Sequence, residues 1–421
     1  MRLCIFEDSK AVQLLPLVYT RPTYDLRCGI FTLREKIQRA YPDLPLTLFA
    51  RTYLTDTLKQ QNPTAAVNML PDDDCLFING RVLADDTLAK KLPSSPGHEM
   101  LYLAKDEIVG AFVTAKKVRS LKFLEDGALD VESLKGLPTK DVEVQVIQYP
   151  WELVNKNGEQ IVEDAKLLAS EFKSPAQHGA KIHEGAYLLH PENILVGEGS
   201  VIMPTAVIDA EEGPVVIGKN VKIFPNVTII GPAFIGDGSV LKIGAKIYEN
   251  TSIGEVCKVG GEIDASIVHS YSNKQHEGFL GHSYIGSWVN LGALTTNSDL
   301  KNNYGNVKVV INGKSIDTGS MFVGLTVGDH SKSGIGTLFN TGTVVGVSCN
   351  IYGTGLPPKE IPSFAWGGAE GFQTYKVEKA IEVARRVMAR RKIIMTQVDE
   401  DLLRTIFALT EKDRTRAGVL Q

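Results

Sequence analysis

Between Gly213 and Gly261 the apolar positions recur every six residues, at Ile217, Ile223, Ile229, Ile235, Leu241, Ile247, Ile253 and Val259. A period of six fits neither a helix at 3.6 nor a strand at 2. It is the period of hexapeptide repeats, in which three short strands per coil wind into a left-handed parallel β-helix and each side turns one aliphatic residue inward. Glycine follows several of these positions, as in Ile217-Gly218, Ile235-Gly236 and Ile253-Gly254, where the chain must round a corner. The beat is lost at Asp264–Gly278 and again at Asp299–Asp317, where polar residues gather; both stretches read as excursions overhanging a binding face. It resumes at Phe279, Ile285, Leu291 and Asn297, and later at Ile335, Thr341 and Val347.

Other patterns flank this solenoid. Residues 1–150 alternate short apolar runs (Arg2–Phe6, Leu46–Phe49, Cys75–Ile78, Met100–Leu103) with a helical pattern around Thr32–Ala40, which predicts an α/β domain with a largely parallel sheet. Residues 151–185 form a linker, with Ile161, Ala165 and Leu168 at helical spacing over Trp151–Phe172. The β-helix domain is expected over 186–365 and a C-terminal helix over 370–415. The basic cluster of that helix (Arg385, Arg386, Arg390, Arg391, Lys392) reads as a solvated or intersubunit face, or alternatively as a contact to an anionic cofactor. Flat prism faces pack side by side in homotrimers with ligand clefts between subunits, so a homotrimer is expected.

Composition narrows the class. A formal net charge of −4 and a pI near 6.1 argue against a nucleic-acid binder. The five cysteines show no paired or metal-ligand spacing, which suits a reducing cytoplasm. No apolar run reaches the length of a membrane span, and the acidic start, MRLCIFEDSK, is unlike a signal peptide, so a soluble cytoplasmic protein without integral membrane segments is expected.

The richest chemistry lies in NKQHEGFLGHSYIGSWVNLGALTTNSDLKN, Asn273–Asn302. Acyl transfer to an amine needs a base, donors for the developing oxyanion, and cations or amides to hold a sugar phosphate. His276 suits the first role, although a lone loop histidine is more often a surface residue. Lys274, Gly281, Ile285-Gly286 and Val289-Asn290-Leu291-Gly292-Ala293 complete a segment that resembles the acetyltransferase half of the bifunctional bacterial N-acetylglucosamine-1-phosphate uridyltransferase/glucosamine-1-phosphate acetyltransferase family. The resemblance implies His276 as general base, Asn290 as a sugar-holding residue with Lys274, and the Gly292-Ala293 backbone beside the acetyl-CoA thioester. It also implies a phosphate clamp, of which Lys242 is the one position plausibly kept, with Lys258 or Lys301 as substitutes. Phe279 stands where the family has a tyrosine, and Leu294 replaces the second glycine of G-A-G. His269, His276 and His282 also invite comparison with γ-type carbonic anhydrases, against which the V-N-L-G-A string and the attached N-terminal domain argue.

The same family carries an N-terminal nucleotidyltransferase domain with a glycine-rich loop. Here Phe6-Glu7-Asp8-Ser9 stands instead, followed by the PLxYTRPxxDLRxGI string of Pro16–Ile30, which resembles a divergent sugar-nucleotidyltransferase branch. Arg21, Arg27 and Lys36 are the cations that would replace the glycine loop at nucleotide phosphates; ion pairs with Asp25 and Glu35 are the alternative. Mg²⁺ would be held by carboxylates after the strand ending Phe77-Ile78-Asn79, for which Asp85 is the candidate. The resulting expectation is a sugar-nucleotide enzyme. Acyl groups from acetyl-CoA or another acyl-CoA would pass to an amino sugar 1-phosphate in the β-helix, and a nucleoside triphosphate would react with a sugar 1-phosphate in the N-terminal domain. The alternative is a regulatory or nucleotide-sugar-binding protein with an inactive transferase fold.

Overall fold

The computed structural model describes residues 1–168 and 179–420. The chain forms two compact units: Met1–Leu26, Phe31–Tyr149 and Thr396–Thr405 make the first; Arg27–Ile30, Pro150–Met395 and Ile406–Gln421 make the second.

The first unit is built on a seven-stranded sheet in the order Thr139–Asp141, Met100–Ala104, Glu107–Val113, Cys75–Asn79, Arg2–Phe6, Leu46–Phe49, Ala66–Val67. Arg2–Phe6, beside the central strand Cys75–Asn79, pairs in parallel with it and with Leu46–Phe49, while Glu107–Val113 runs antiparallel to both its neighbours. The sheet is therefore mixed, with parallel pairing at its centre. Helix Leu33–Ala40 starts at a capping box in which the Thr32 hydroxyl accepts from the Glu35 N–H and the Glu35 carboxylate accepts from the Thr32 N–H.

The second unit is a left-handed parallel β-helix. Its first face stacks Lys181–Ile182, Val201–Ile202, Lys222–Ile223, Val240–Leu241, Lys258–Val259 and Asn273–Lys274. The second stacks Tyr187–Leu189 through Phe279–Gly281, and the third runs over nine strands from Ile194–Val196 to Glu360–Ile361. All eight residues of the six-residue beat are at most 1% exposed and lie in one continuous core. The prism begins at Lys181, five residues before the sequence boundary of 186.

Two features of the beat are corrected by the coordinates. Asp264–Gly278 does not leave the helix: the inward residues continue as Ile263, Val268, Lys274, Leu280, Ile285, Leu291 and Asn297. Three sides are short, 259 to 263 by two residues and 263 to 268 and 280 to 285 by one each; the last two turn through left-handed corners at Ala265 (φ 40°) and His282 (φ 45°). Phe279 is thus half-buried and Leu280 points in. The second interruption is a true excursion, which closes into an antiparallel hairpin of Lys308–Ile311 with Lys314–Asp317. It resets the phase, so the inward residues become Val327, Ser333, Phe339, Val345 and Ile351, and Ile335 stands 80% exposed on a corner.

Pro150–Leu168 is the predicted linker helix, burying Ile161, Ala165 and Leu168; the rest of the predicted stretch, to Phe172, runs beyond the described residues. The single C-terminal helix expected over 370–415 is instead a strand, Gly371–Thr374, and three helices, Val377–Ala389, Gln397–Leu409 and Glu411–Arg416. The first of these ends where Lys392 turns to φ 60° and the Arg391 and Ile393 N–H groups bond back to the Met388 carbonyl.

Ile235→Ala tests the packing claim. Removing a fully buried inward side chain is expected to cost about 3 kcal/mol in chemical denaturation, while Ile335→Ala, at an exposed corner, should leave the midpoint within error.

Candidate functional site

Consecutive turns of a β-helix bring together residues that are far apart in sequence, and each edge of the prism gathers a different set. The edge between the first and second faces carries the corner 275–278, with His276 exposed. One turn on, the same edge carries Gly292, Ala293 and Leu294, and the Leu294 N–H donates to the Glu277 carbonyl at 2.8 Å. Gly292 is pressed against the following turn: a Cβ there would lie 2.6 Å from Gly334. The Ala293 carbonyl accepts from the Gly336 N–H, whereas its own N–H has no partner among the described residues and is available to an oxyanion. Leu294 takes φ 61°, the backbone a glycine would adopt freely, and its side chain is exposed.

The outer side of the first face supplies polar residues to this edge. Asn290 pairs in register with Asn273 before it and Lys332 after it, and the Asn273 amide donates to the Asn290 Oδ1 at 3.4 Å. The Arg391 guanidinium donates to the Asn273 Oδ1 at 2.6 Å. The Lys258 ammonium is pushed below its usual range by burial and by Arg391, Lys242 and Arg390. Lys242, Lys258, Arg390 and Arg391 therefore crowd one patch beside Asn273 and Asn290, a concentration of positive charge suited to a phosphate. The basic cluster divides: Arg386 pairs with Glu382 on its own helix, whereas Arg391 reaches the prism. Arg391 belongs to the basic cluster whose alternative reading is a contact to an anion, whereas Asn273 carries no role in the sequence analysis; its register with Asn290 on successive turns is the signal that points to it.

Lys274 is placed differently from expectation. Its register partner is the inward Val259, it is 2% exposed, and its Nζ donates to the carbonyls of His276 at 2.9 Å and Gly260 at 3.2 Å. It fixes the corner that carries His276 from inside and does not reach a substrate. Burial lowers its pKa to about 8. Lys301 belongs to the excursion, where its Nζ donates to the Asn306 carbonyl, and is not among the groups that shift Lys258. His269, His276 and His282 occupy three different edges, so the chain does not gather them around one ion.

In the first unit the parallel strands end at a buried ionic cluster. Glu7, wholly buried, accepts from the Thr23 N–H at 2.8 Å, from the Arg51 N–H and from the Arg51 guanidinium at 3.1 Å. Arg51 also donates to the carbonyls of Val18 and Arg21. Asp8 takes the Arg81 guanidinium at 2.7 Å and the Asn79 amide at 2.8 Å, and Arg81 continues to Glu107 at 2.9 Å. A protein carboxylate thus holds backbone donors at the strand ends, where open α/β sheets receive ligands.

Arg21 stands half-buried beside this cluster, and Lys36 is buried with its Nζ 6.0 Å from the Phe31 ring. Asp25 pairs with Arg34 at 2.6 Å. Arg27 lies in the second unit: it is 5% exposed, pairs with Glu255 at 2.6 Å and sits 5.3 Å over the Phe234 ring, which commits it to packing the β-helix. The proposed Mg²⁺ position does not fit. The exposed Asp85 carboxylate is taken by the Thr87 N–H and hydroxyl and by Lys91 at 2.8 Å, and the strand end itself presents Asn79 and the cation Arg81.

Residues 3–173 match the family model described as sugar nucleotidyl transferase. That defines the class: a sugar-nucleotidyltransferase-like domain joined to a hexapeptide-repeat β-helix. The chain is similar to the bifunctional protein GlmU of Synechococcus elongatus, 28% identical over 213 residues, covering 45% of this chain and 43% of that one. It is also similar to a bifunctional sugar-1-phosphate nucleotidylyltransferase/acetyltransferase of Sulfurisphaera tokodaii, 26% identical over 237 residues, covering 54% and 52%. The chain spans about half the length of the curated relatives it matches. Among solved structures, the UDP-N-acetylglucosamine acyltransferase of Francisella novicida is 17% identical, with a TM-score of 0.28, over 57% of this chain and 92% of that one. No helix among the described residues is long and apolar enough to cross a membrane.

Lys274 yields a pH prediction. Its folded pKa of about 8 lies below the ordinary 10.5, so the unfolded chain binds the extra proton and this group makes stability rise with pH between about 8 and 10.5. Lys332, lowered to about 8 by burial, adds the same slope. In thermal melts across that window, Lys274→Met is expected to flatten the slope, and a Lys274→Met/Lys332→Met double variant to flatten it further.

Proposed function

We propose that the chain is a sugar-nucleotide biosynthesis enzyme of bifunctional design, in which the β-helix transfers an acyl group from acetyl-CoA or another acyl-CoA to the amine of an amino sugar 1-phosphate. The observation that carries the reading is the edge where His276, the free Ala293 N–H and Asn290 lie on successive turns beside the cationic patch of Lys242, Lys258, Arg390 and Arg391. His276 would take the proton as the amine attacks the thioester carbonyl, the Ala293 N–H would receive the oxyanion, and the cations would hold the sugar phosphate. Collapse of the tetrahedral intermediate expels the thiol of coenzyme A and leaves the amide.

Leu294 and Ile335, 56% and 80% exposed, stand on successive turns of the same edge, and Ile243, 66% exposed, lies further along it. Such apolar surface suits a neighbouring subunit or the pantetheine arm, and supports a homotrimer with the acyl site between chains. The assay is free-thiol release from acetyl-CoA with glucosamine-1-phosphate and a panel of amino sugar phosphates. Turnover with at least one acceptor is expected, with a loss of about 10²-fold or more in kcat for His276→Ala and a raised acceptor KM for Arg391→Ala. No thiol release with any acceptor would overturn the reading.

For the first unit the family match supports nucleotidyl transfer to a sugar 1-phosphate, with residues other than Asp85 at its chemistry. Because Glu7 already holds the Thr23 and Arg51 donors, nucleotide phosphates would either displace it or bind beside it. Screening nucleoside triphosphates with sugar 1-phosphates is expected to give pyrophosphate. Nucleotide binding without pyrophosphate would instead make this half a nucleotide-sugar-binding domain.

A further inference from the structure

The edge between the second and third faces carries a constellation that the acyl-transfer reading does not use. Three successive turns each contribute one ligand-bearing residue there. Asp264 ends the strand Glu262–Asp264; His282 follows the next strand, Phe279–Gly281; and Asp299 opens the excursion on the turn after that. Their potential ligand atoms all lie within 4.8 Å of one another, and His282 Nδ1 is 2.9 Å from Asp299 Oδ2. All three are half-buried.

The local backbone is shaped to this approach. Two of the prism's shortened sides, 263 to 268 and 280 to 285, round this edge, through the corners that carry Asp264 and His282. Gly281 is required because a Cβ there would stand 2.3 Å from Asp299 Oδ2. The far end of the excursion returns to the same place. Phe322 stacks on the His282 ring at 5.0 Å, the Val323 N–H donates to the Asp299 carbonyl, and the Gly324 N–H donates to the His282 carbonyl.

Charge at the site is lopsided. Besides His282 and Asp299, the carboxylates of Glu249 and Glu262 interact electrostatically with Asp264. The nearby Lys246 is 3.7 Å from Glu277 on another corner. One imidazole therefore faces a set of carboxylates in a half-buried corner, an arrangement that a divalent cation would neutralise.

We propose that Asp264, His282 and Asp299 form a binding site for a divalent transition-metal ion, which pins the start of the 299–325 excursion to the two preceding turns of the β-helix. One nitrogen and two carboxylate oxygens suit Zn²⁺ or Mn²⁺. Ligands at about 2.0–2.2 Å hold donors roughly 3–3.5 Å apart, so the separations present need to close by about an ångström. Three protein ligands leave further positions to water.

The test uses the full chain, stripped with chelator and titrated with ZnCl₂ and with MnCl₂ by calorimetry, alongside thermal melts. Saturable binding of about one ion per chain with a metal-dependent rise in Tm is expected. Asp264→Asn and His282→Ala should each weaken binding at least tenfold while circular dichroism stays that of the wild type. His190→Ala, in the more exposed group of His190, Asp209 and Glu211, should leave it unchanged. Absence of saturable binding in the wild type would overturn the proposal and leave His282–Asp299 a simple hydrogen-bonded pair. So would wild-type affinity in folded Asp264→Asn. Neither result depends on whether the acyl-transfer assay succeeds.

Discussion

A triangular prism wound from short parallel strands has room for one inward side chain per side, and the next turn must present a residue of similar bulk directly beneath it. That stacking constraint governs the second unit. Ile223, Leu241 and Val259 stand in one column because their neighbours in the column leave no other volume to fill, and the same ladder that aligns them aligns the outward residues Lys222, Val240 and Lys258. Chemistry on such a scaffold is a by-product of register. Residues seventeen or eighteen positions apart become neighbours, and an outward asparagine on one turn lies against an outward asparagine on the next, as Asn273 and Asn290 do.

Where the column receives something other than an aliphatic, the prism responds locally. Lys274 occupies the interior below Val259, and its ammonium is accommodated only because two corner carbonyls turn toward it, one of them the carbonyl of His276. Burial of a cation is unfavourable unless it is hydrogen-bonded, so this lysine constrains the corner that bears the candidate base. Asn297, on the next turn, does the same with amide chemistry: its Oδ1 accepts from the Gly281 N–H and its Nδ2 donates to the Gly281 carbonyl. The polar interior residues Lys274 and Asn297 thus stand at the turns that carry His276 and Asp299, where they set corner geometry more tightly than aliphatic packing does.

Much of this was legible in the sequence, and the parts that were not have identifiable causes. The strict beat announced the β-helix because each inward position is read by burial alone. The beat fails at Asp264–Gly278 because shortened sides, 259 to 263 and 263 to 268, break a fixed period while leaving the coil intact, so a continuous turn reads as a loop. Lys274 was read as a substrate ligand because a lysine between polar residues gives no sign that its neighbours in space are core residues. Arg27 looked like a phosphate ligand for the same reason; its partner Glu255 is more than two hundred residues away. In the first unit the absence of a glycine-rich loop is visible in the sequence, whereas the pairing of Glu7 with Arg51 is not, since nothing in Phe6-Glu7-Asp8 says that a carboxylate will turn inward.

The three edges divide labour by what their corners can carry. The edge with His276, Ala293 and the exposed Ile243, Leu294 and Ile335 offers a histidine, a free amide and apolar surface, a combination suited to a thioester and its pantetheine arm. The edge with Tyr271, Trp288 and His330 stacks rings at 4.3 and 6.1 Å and leaves little room for a ligand. The edge with Asp264, His282 and Asp299 offers only acidic and imidazole groups, and it is the one from which the excursion departs. An insertion that leaves a prism at one corner and returns to it must be anchored at both ends, because hydrogen bonds of the hairpin alone do not fix its direction. Phe322 and Val323 anchor the returning strand through stacking and backbone bonds. The departing strand is anchored by Asp299, whose carboxylate over Gly281 meets the imidazole of the turn before. The short sides at Ala265 and His282 round the edge where that imidazole meets Asp299, so part of the lost beat in the sequence falls where the excursion is anchored, and the rest, from 259 to 263, falls on the edge that carries His276.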